Sequence, residues 1–153
     1  MIRRYGDSVK PEQRYKRRPG VYAILARSKQ ILLTHQESPT PEFQLPGGGI
    51  DVGEHPITAL HREVLEETGW KIAINRKISV FRRFAYMPEY DLWAEKVCSI
   101  YLARPVYELG APTEIGHQAA WMTIPQALDR LGNDGDRAVL AAFAGIYFKS
   151  GVR

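Results

Sequence analysis

The sequence predicts an α/β fold in which a mixed β-sheet lies between helices. Strand-like segments stand on both sides of one amphipathic helical segment, and a second helical segment, residues 136–148, follows the last strand. A length of 153 residues suits one domain. We therefore expect a basic N-terminal arm, residues 1–18, and a single domain, residues 19–153.

The strands follow one another at short intervals. Apolar segments at residues 21–26 and 31–35, separated by a polar turn, predict a β-hairpin. Residues 72–85, with apolar side chains at even spacing from Ile72 to Phe84, and residues 93–103 predict two further strands. Trp121 begins a last strand that leads into a helix near Pro125. Strands therefore flank the central helix on both sides.

The central helical segment, residues 55–69, carries its own start and stop signals. Pro56 suits the first helical position, and Gly69 suits the left-handed residue that closes a helix. At about 100° per residue, the apolar side chains share one stripe and the glutamates share a neighbouring arc. The stripe consists of Ile57, Leu60 and Val64, and the arc consists of Glu63, Glu66 and Glu67. We expect the stripe to pack and the carboxylates to face a cleft.

The three carboxylates of this arc repel one another. Mg²⁺ would offset the repulsion, because it prefers oxygen ligands and is usually held by one or two carboxylates together with substrate phosphates. Ahead of the helix, Gly47, Gly48 and Gly49 supply backbone that can approach a ligand closely. Arg62 can hold Glu54 and one metal-binding glutamate by forked hydrogen bonds. The cluster predicts a site for a divalent metal and a phosphate.

The stretch from Gly48 to Trp70, GGIDVGEHPITALHREVLEETGW, resembles the signature box of the Nudix hydrolases. Only Trp70 departs, standing where the family usually has an aliphatic residue. The resemblance implies an α/β/α sandwich and hydrolysis of the diphosphate linkage in a nucleoside diphosphate derivative, with Mg²⁺ or Mn²⁺ as the cofactor. The metal ligands that it implies are Glu63, Glu66, Glu67 and the carbonyl of Gly47.

A further acidic residue is expected in the loop before the last strand, where members of this family often place one. Glu114 has the best spacing from Trp121. It would take a proton from water or bind a metal, and the alternative is a solvated loop residue. A general base must lie within about 3 Å of its proton, which a sequence does not show.

The segment that joins the two long strands is rich in aromatic and cationic side chains. Arg82 is a candidate phosphate ligand, and Tyr86 is a candidate platform for a base. Tyr86 stands sixteen residues past the box, similar to the pattern of dinucleoside polyphosphate hydrolases. The alternative is a hairpin whose aromatic side chains pack across strands.

Charge is concentrated in the first 18 residues, which hold seven basic and two acidic residues, whereas the remainder holds 14 basic and 15 acidic residues. Such an arm could gather a polyanionic substrate or RNA, and the alternative is a solvated segment.

The one cysteine, Cys98, fits a reducing cytoplasm. We find neither a secretory signal nor an apolar run long enough for a membrane span, and expect a monomer or homodimer.

Two function classes remain open from the sequence. The first is a pyrophosphohydrolase, whose substrate could be a dinucleoside polyphosphate, a nucleotide sugar, an oxidised nucleotide or the 5′ end of RNA. The second is a module of the same fold that binds a nucleotide or RNA without turnover. The chain keeps Glu54, Arg62 and the three box glutamates, which favours catalysis.

Overall fold

The computed structural model describes residues 2–149, with side chains described up to residue 145. Its strands and helices are β1 (Arg3–Gly6), β2 (Lys16–Arg27), β3 (Gln30–Gln36), β4 (Glu42–Gln44), β5 (Gly47–Gly49), α1 (Pro56–Thr68), β6 (Trp70–Met87), β7 (Leu92–Glu108), β8 (His117–Thr123), α2 (Ile124–Arg130) and α3 (Asp134–Lys149). None of the helices in this part of the chain is long and apolar enough to cross a bilayer.

The strands form a mixed sheet, as the sequence predicts. Their order is β1-β6-β7-β2-β3-β4, with β5 paired to β2 and β8 paired to β3. The pairs β1–β6 and β2–β7 are parallel, and the others are antiparallel. The predicted hairpin of β2 and β3 is confirmed, but the two strands pair only at Ala26↔Ile31 and Arg27↔Gln30. Beyond these residues they diverge, and β2 pairs with the glycines of β5 instead.

Helices cover both faces of the sheet and give two apolar clusters. On β2, Val21, Ala23 and Leu25 pack with residues of α1, whereas Ile24 packs in the cluster that contains α2 and α3. This alternation follows from the two-residue period of a strand that is buried on both sides. The predicted α/β/α sandwich is therefore confirmed.

Helix α1 begins and ends as its sequence predicts. Pro56 occupies the first turn, and Nδ1 of His55 accepts a hydrogen bond from the Ile57 N–H at 3.1 Å. Gly69 closes the helix with a φ of 78° and donates its N–H to the Leu65 carbonyl at 2.8 Å. Leu60 and Val64 are fully buried. Defined ends and a buried stripe fix the rotation of the helix, and hence the direction of its glutamates.

Strand β6 departs from the even apolar spacing of its sequence. Irregularities between Lys71 and Ile72, between Ile74 and Arg76, and between Lys77 and Ser79 shift its register against β7. Because each extra residue reverses the side-chain alternation, Phe81 rather than Val80 reaches the core. The Phe81 side chain is 2% exposed and meets the Tyr5 ring edge-on at 5.4 Å.

The basic N-terminal segment is attached to the sheet at both ends. Strand β1 pairs with β6, and the boundary expected between residues 18 and 19 falls inside β2. Between the two strands, the Tyr15 ring contacts Phe84 at 5.1 Å and Trp93 at 6.2 Å. The last four residues of the expected domain, 150–153, lie outside the described part of the chain.

Gly69 gives a test of how α1 is closed. We expect Gly69→Ala to destabilise the protein strongly, because φ is positive and a Cβ would overlap the Gly110 carbonyl. Gly53 has a similar φ of +79° but open space around the Cβ position, so Gly53→Ala should cost only the conformational strain, about 1–2 kcal/mol. Urea denaturation measures both. Equal losses in the two variants would show that the contact with Gly110 is unimportant.

Candidate active site

A cleft with a volume of about 590 Å³ opens beside the carboxyl-terminal part of α1. The β5 glycines, Glu67, Glu114 and His117 line one end, and the turn between β6 and β7 lines the other. A larger cavity of about 890 Å³ lies between α3 and the irregular part of β6, but none of its lining residues is acidic or a histidine. Glu67 is thus the one box glutamate that lines the smaller cleft; Glu63 and Glu66 are not among its lining residues.

Glu67 is the most buried carboxylate of α1, with 6% of the residue exposed. Its Oε1 accepts a hydrogen bond from the Gly47 N–H at 2.9 Å, and its Oε2 lies 3.5 Å from Nδ1 of His117. Burial raises the pKa of Glu67 well above its usual value, and the charge of Glu63 raises it further. The carboxyl group is fixed in position, but its charge is poorly compensated by the protein.

Arg62 lies between the remaining carboxylates. Its Nε and Nη2 donate to the two oxygens of Glu54, both at 2.8 Å, and its Nη1 donates to Glu63 at 2.9 Å and to Glu66 at 3.4 Å. The forked contact with Arg62 lowers the pKa of Glu54 to about 2, and the same contact raises the pKa of Arg62. One guanidinium therefore fixes the relative positions of three carboxylates.

The glycines of β5 allow the carboxylates to approach the backbone. A Cβ at Gly48 would overlap the carboxyl group of Glu63, and a Cβ at Gly47, where φ is +148°, would overlap the Val21 carbonyl. Only glycine allows β5 to approach α1 and β2 this closely. The triple glycine of the sequence thus has a steric role as well as a conformational one.

The donor set fits a hard divalent cation. Glu63 and Glu67 both have raised pKa values, caused first by burial and then by neighbouring carboxylates, so a bound cation would stabilise their charged forms. Within residues 2–149, no three acidic, histidine or cysteine side chains are grouped closely enough to hold a metal as they stand. Arg62 contacts Glu63 and Glu66 instead.

Glu114 lies beside the carboxylates of α1. The N–H groups of Thr113 and Glu114 both donate to the Glu66 carbonyl at 2.9 Å, which fastens this loop to the end of the helix. The charge of Glu114 contributes to the raised pKa values of Glu63 and Glu67. Glu114 is exposed and lines the cleft, so water can reach it.

The two residues expected to contact substrate lie in different places. Tyr86 lines the cleft with 41% of the residue exposed; its hydroxyl donates to Asp91, and its ring lies 5.3 Å from that of Trp93. Arg82 is not among the cleft residues, and its Nη1 pairs with Glu95 at 3.0 Å. Arg83 points to the opposite face of β6 and lines the cleft.

A family profile described as NUDIX domain matches residues 16–143. The chain belongs to the Nudix family. Its fold is similar to that of a MutT protein from Methanosarcina mazei Go1, with a TM-score of 0.67, 16% identity, and coverage of 91% of this chain and 98% of that one. The ORF135 protein of E. coli gives a TM-score of 0.65 and 22% identity over 91% of this chain and 96% of its own.

Curated relatives match over a shorter region. An RNA pyrophosphohydrolase of Helicobacter pylori is 41% identical over 81 residues, covering 50% of this chain and 49% of its own. A Bacillus subtilis protein, named provisionally as an 8-oxo-dGTP diphosphatase, is 41% identical over 70 residues, covering 46% of each chain. The Nudix chain thus spans about half the length of the curated relatives that it matches.

The Nudix cleft also contains residues that sequence reasoning did not assign to it. They are His117, Lys96, Cys98, Asp136 and Tyr22. Burial lowers the pKa of Lys96 and raises those of Tyr22 and Cys98, the latter to about 12. These residues come from β2, β7, β8 and the start of α3, so no local sequence pattern could have joined them.

Asp136 is buried at the first turn of α3, with 4% of the residue exposed. Its Oδ2 accepts a hydrogen bond from the Leu45 N–H at 3.0 Å, which connects α3 to the segment before β5. Burial raises the pKa of Asp136 from 3.8 to about 6. The folded Nudix domain therefore accommodates the charged carboxylate less well than the unfolded chain does, although the group is still mostly ionised at pH 7.

This raised pKa predicts a pH dependence of stability. The folded protein holds the Asp136 proton more tightly than the unfolded chain does, so the stabilisation is present below pH 4 and is lost as pH rises through about 6. Relative to wild type, the free energy of unfolding of Asp136→Asn should rise by about 2 kcal/mol between pH 4 and pH 7. Urea denaturation at several pH values measures the difference, with the exposed Asp129→Asn as control. A pH-independent difference would contradict the assignment.

Proposed function

We propose that the protein hydrolyses the diphosphate linkage of a nucleoside diphosphate derivative, using a divalent metal. The observation that carries the proposal is the arrangement of the box glutamates on α1: Glu67 lines the open cleft, Glu63 lies against Gly48, and Arg62 contacts both Glu63 and Glu66. Membership of the Nudix family and the names of the matching relatives support the same reaction class.

The chain's own residues have separate tasks in this reaction. Glu63, Glu66 and Glu67, together with the Gly47 carbonyl, would hold Mg²⁺ or Mn²⁺. When bound, the metal would stabilise negative charge on the diphosphate and lower the pKa of the attacking water. Arg62 orients Glu63 through its contact at 2.9 Å and is itself held by Glu54. Glu114, an exposed carboxylate of the loop fastened to the end of α1, could accept the proton of the water.

For the substrate we propose a dinucleoside polyphosphate first, on the strength of the exposed Tyr86 ring in the cleft. The 5′ end of RNA is the second candidate, favoured by the names of several relatives and by the basic N-terminal segment. A module without turnover is disfavoured, because the box keeps every carboxylate and the arginine that holds them. Cytoplasmic location and a monomer or homodimer remain predictions.

Glu67→Gln separates catalysis from folding. The amide keeps an acceptor for the Gly47 N–H but removes the charge, so kcat should fall by orders of magnitude. Because burial disfavours the charged carboxylate, the variant should be at least as stable as wild type at pH 7. Phosphate release in Mg²⁺, with EDTA as a blank, measures turnover, and Glu108→Gln on the exposed end of β7 is the control. Wild-type turnover in Glu67→Gln would refute the proposed site.

Tyr86 tests the choice of substrate. If its ring stacks a base, Tyr86→Ala should raise KM for a dinucleoside polyphosphate by roughly 5- to 150-fold, which corresponds to about 1–3 kcal/mol of stacking. Tyr86→Phe removes only the hydrogen bond to Asp91 and should leave KM near that of wild type. Melting curves identify any loss of packing against Trp93. An unchanged KM in Tyr86→Ala would withdraw the dinucleotide proposal and leave the hydrolase proposal intact.

A further inference from the structure

We propose that Lys16 and Arg18, at the start of β2, bind the phosphates of a single-stranded nucleic acid whose 5′ end lies in the cleft. The inference rests on the second substrate candidate of the proposed function, the 5′ end of RNA, because it assumes that this end reaches the α1 carboxylates. It extends that function by assigning a binding site to the part of the nucleic acid that lies outside the cleft.

The sheet register arranges cations in a row that runs out of the cleft. Arg18 pairs with Lys96 of β7, and Lys96 pairs with Arg83 of β6. Paired residues on neighbouring strands point to the same face, and both Lys96 and Arg83 line the cleft. Lys16 lies two residues before Arg18 and is therefore on the same face. The row begins inside the cleft and ends on the exposed Lys16.

These cations are available to a ligand. Within the described residues, neither Lys16 nor Arg18 has a carboxylate within ion-pair distance, whereas Arg17, on the opposite face, pairs with Glu95 at 3.1 Å. Lys16 is exposed and Arg18 is half-buried, and the neighbouring basic residues Arg3, Arg4, Lys10 and Arg14 are exposed. The segment of residues 1–18 has five more basic than acidic residues, whereas the rest of the chain has one more acidic than basic residue.

The part of β2 between the glycine strand and Lys16 has a length that suits a short stretch of nucleic acid. Gly20 pairs with Gly49, the last residue of the glycine strand, and four residues separate it from Lys16. At about 3.3 Å per residue this distance is about 13 Å, or roughly four stacked nucleotides. A phosphate backbone that leaves the carboxylate end of the cleft would pass Arg18 and then Lys16.

Aromatic side chains at the mouth of the cleft favour a single strand. Tyr90 is 57% exposed and has the Arg18 guanidinium 4.6 Å from its ring centre, and Tyr86 is exposed beside it. Unpaired bases can stack on such rings, whereas the bases of a duplex are already stacked on one another.

The test measures binding without hydrolysis. The probe is a 5′-hydroxyl single-stranded RNA 12-mer with a 3′ fluorophore, titrated in EDTA at several NaCl concentrations, so neither a metal nor a diphosphate takes part. The proteins are wild type, Lys16→Gln/Arg18→Gln and Lys71→Gln/Lys77→Gln. The last of these removes the same charge from the first half of β6, whereas the β6 residues of the cleft lie in its second half. Melting curves verify that all three are folded.

Each phosphate contact on a single strand contributes about 0.7 to the slope of log K against log salt. Lys16→Gln/Arg18→Gln should therefore lower the slope by about 1.4 and weaken binding, while Lys71→Gln/Lys77→Gln should bind as wild type does. No binding by wild type, equal losses in both double variants, or equally strong competition by polyglutamate would overturn the proposal. None of these results bears on the activity of Glu67→Gln. Failure of the proposed nucleic-acid site at Lys16 and Arg18 is therefore distinguishable from failure of the hydrolase proposal.

Discussion

The structure depends on holding several negatively charged carboxylates close together where they are partly buried. Burial and mutual repulsion both raise the pKa of Glu67, and the protein supplies it with one backbone N–H donor from Gly47. Arg62 offsets part of the charge on Glu63 and is held by Glu54. The site is thus arranged so that its charge is incompletely neutralised, which favours a cation arriving with a negatively charged substrate.

The fold provides the geometry that this arrangement needs. Strands β2 and β3 separate after two residue pairs, so β2 can pair with the glycine strand β5. Helix α1 packs on β2 through Leu60 and Val64, which are fully buried, whereas Ile57 is half-buried. The last turn of α1 is fastened by the loop at Thr113 and Glu114. The glutamates therefore lie between rigid elements, which keeps their positions independent of flexible side chains elsewhere. The same β2 also carries Arg18 towards the mouth of the cleft.

Local sequence patterns predict some residues of the site well and others poorly. The capping residues and the stripe of α1 are predicted, because a single helix with known period sets the directions of all its side chains. Sequence patterns do not predict that Arg83 rather than Arg82 faces the cleft. Adjacent residues on a strand face opposite sides, and the irregularities in β6 change which residues face each side. The even apolar spacing of residues 72–85 predicted the strand, which is confirmed, but it did not predict these irregularities.

The sequence by itself determined the family, the mixed sheet between helices, the ends of α1 and the common direction of Glu63, Glu66 and Glu67. These features depend on contacts within about a dozen residues, so spacing alone encodes them. Only the tertiary structure decided that His117, Lys96 and Asp136 share the cleft and that the basic segment is built into the sheet. Those neighbours come from separate strands and helices, and their proximity is fixed by strand order and register rather than by any local pattern.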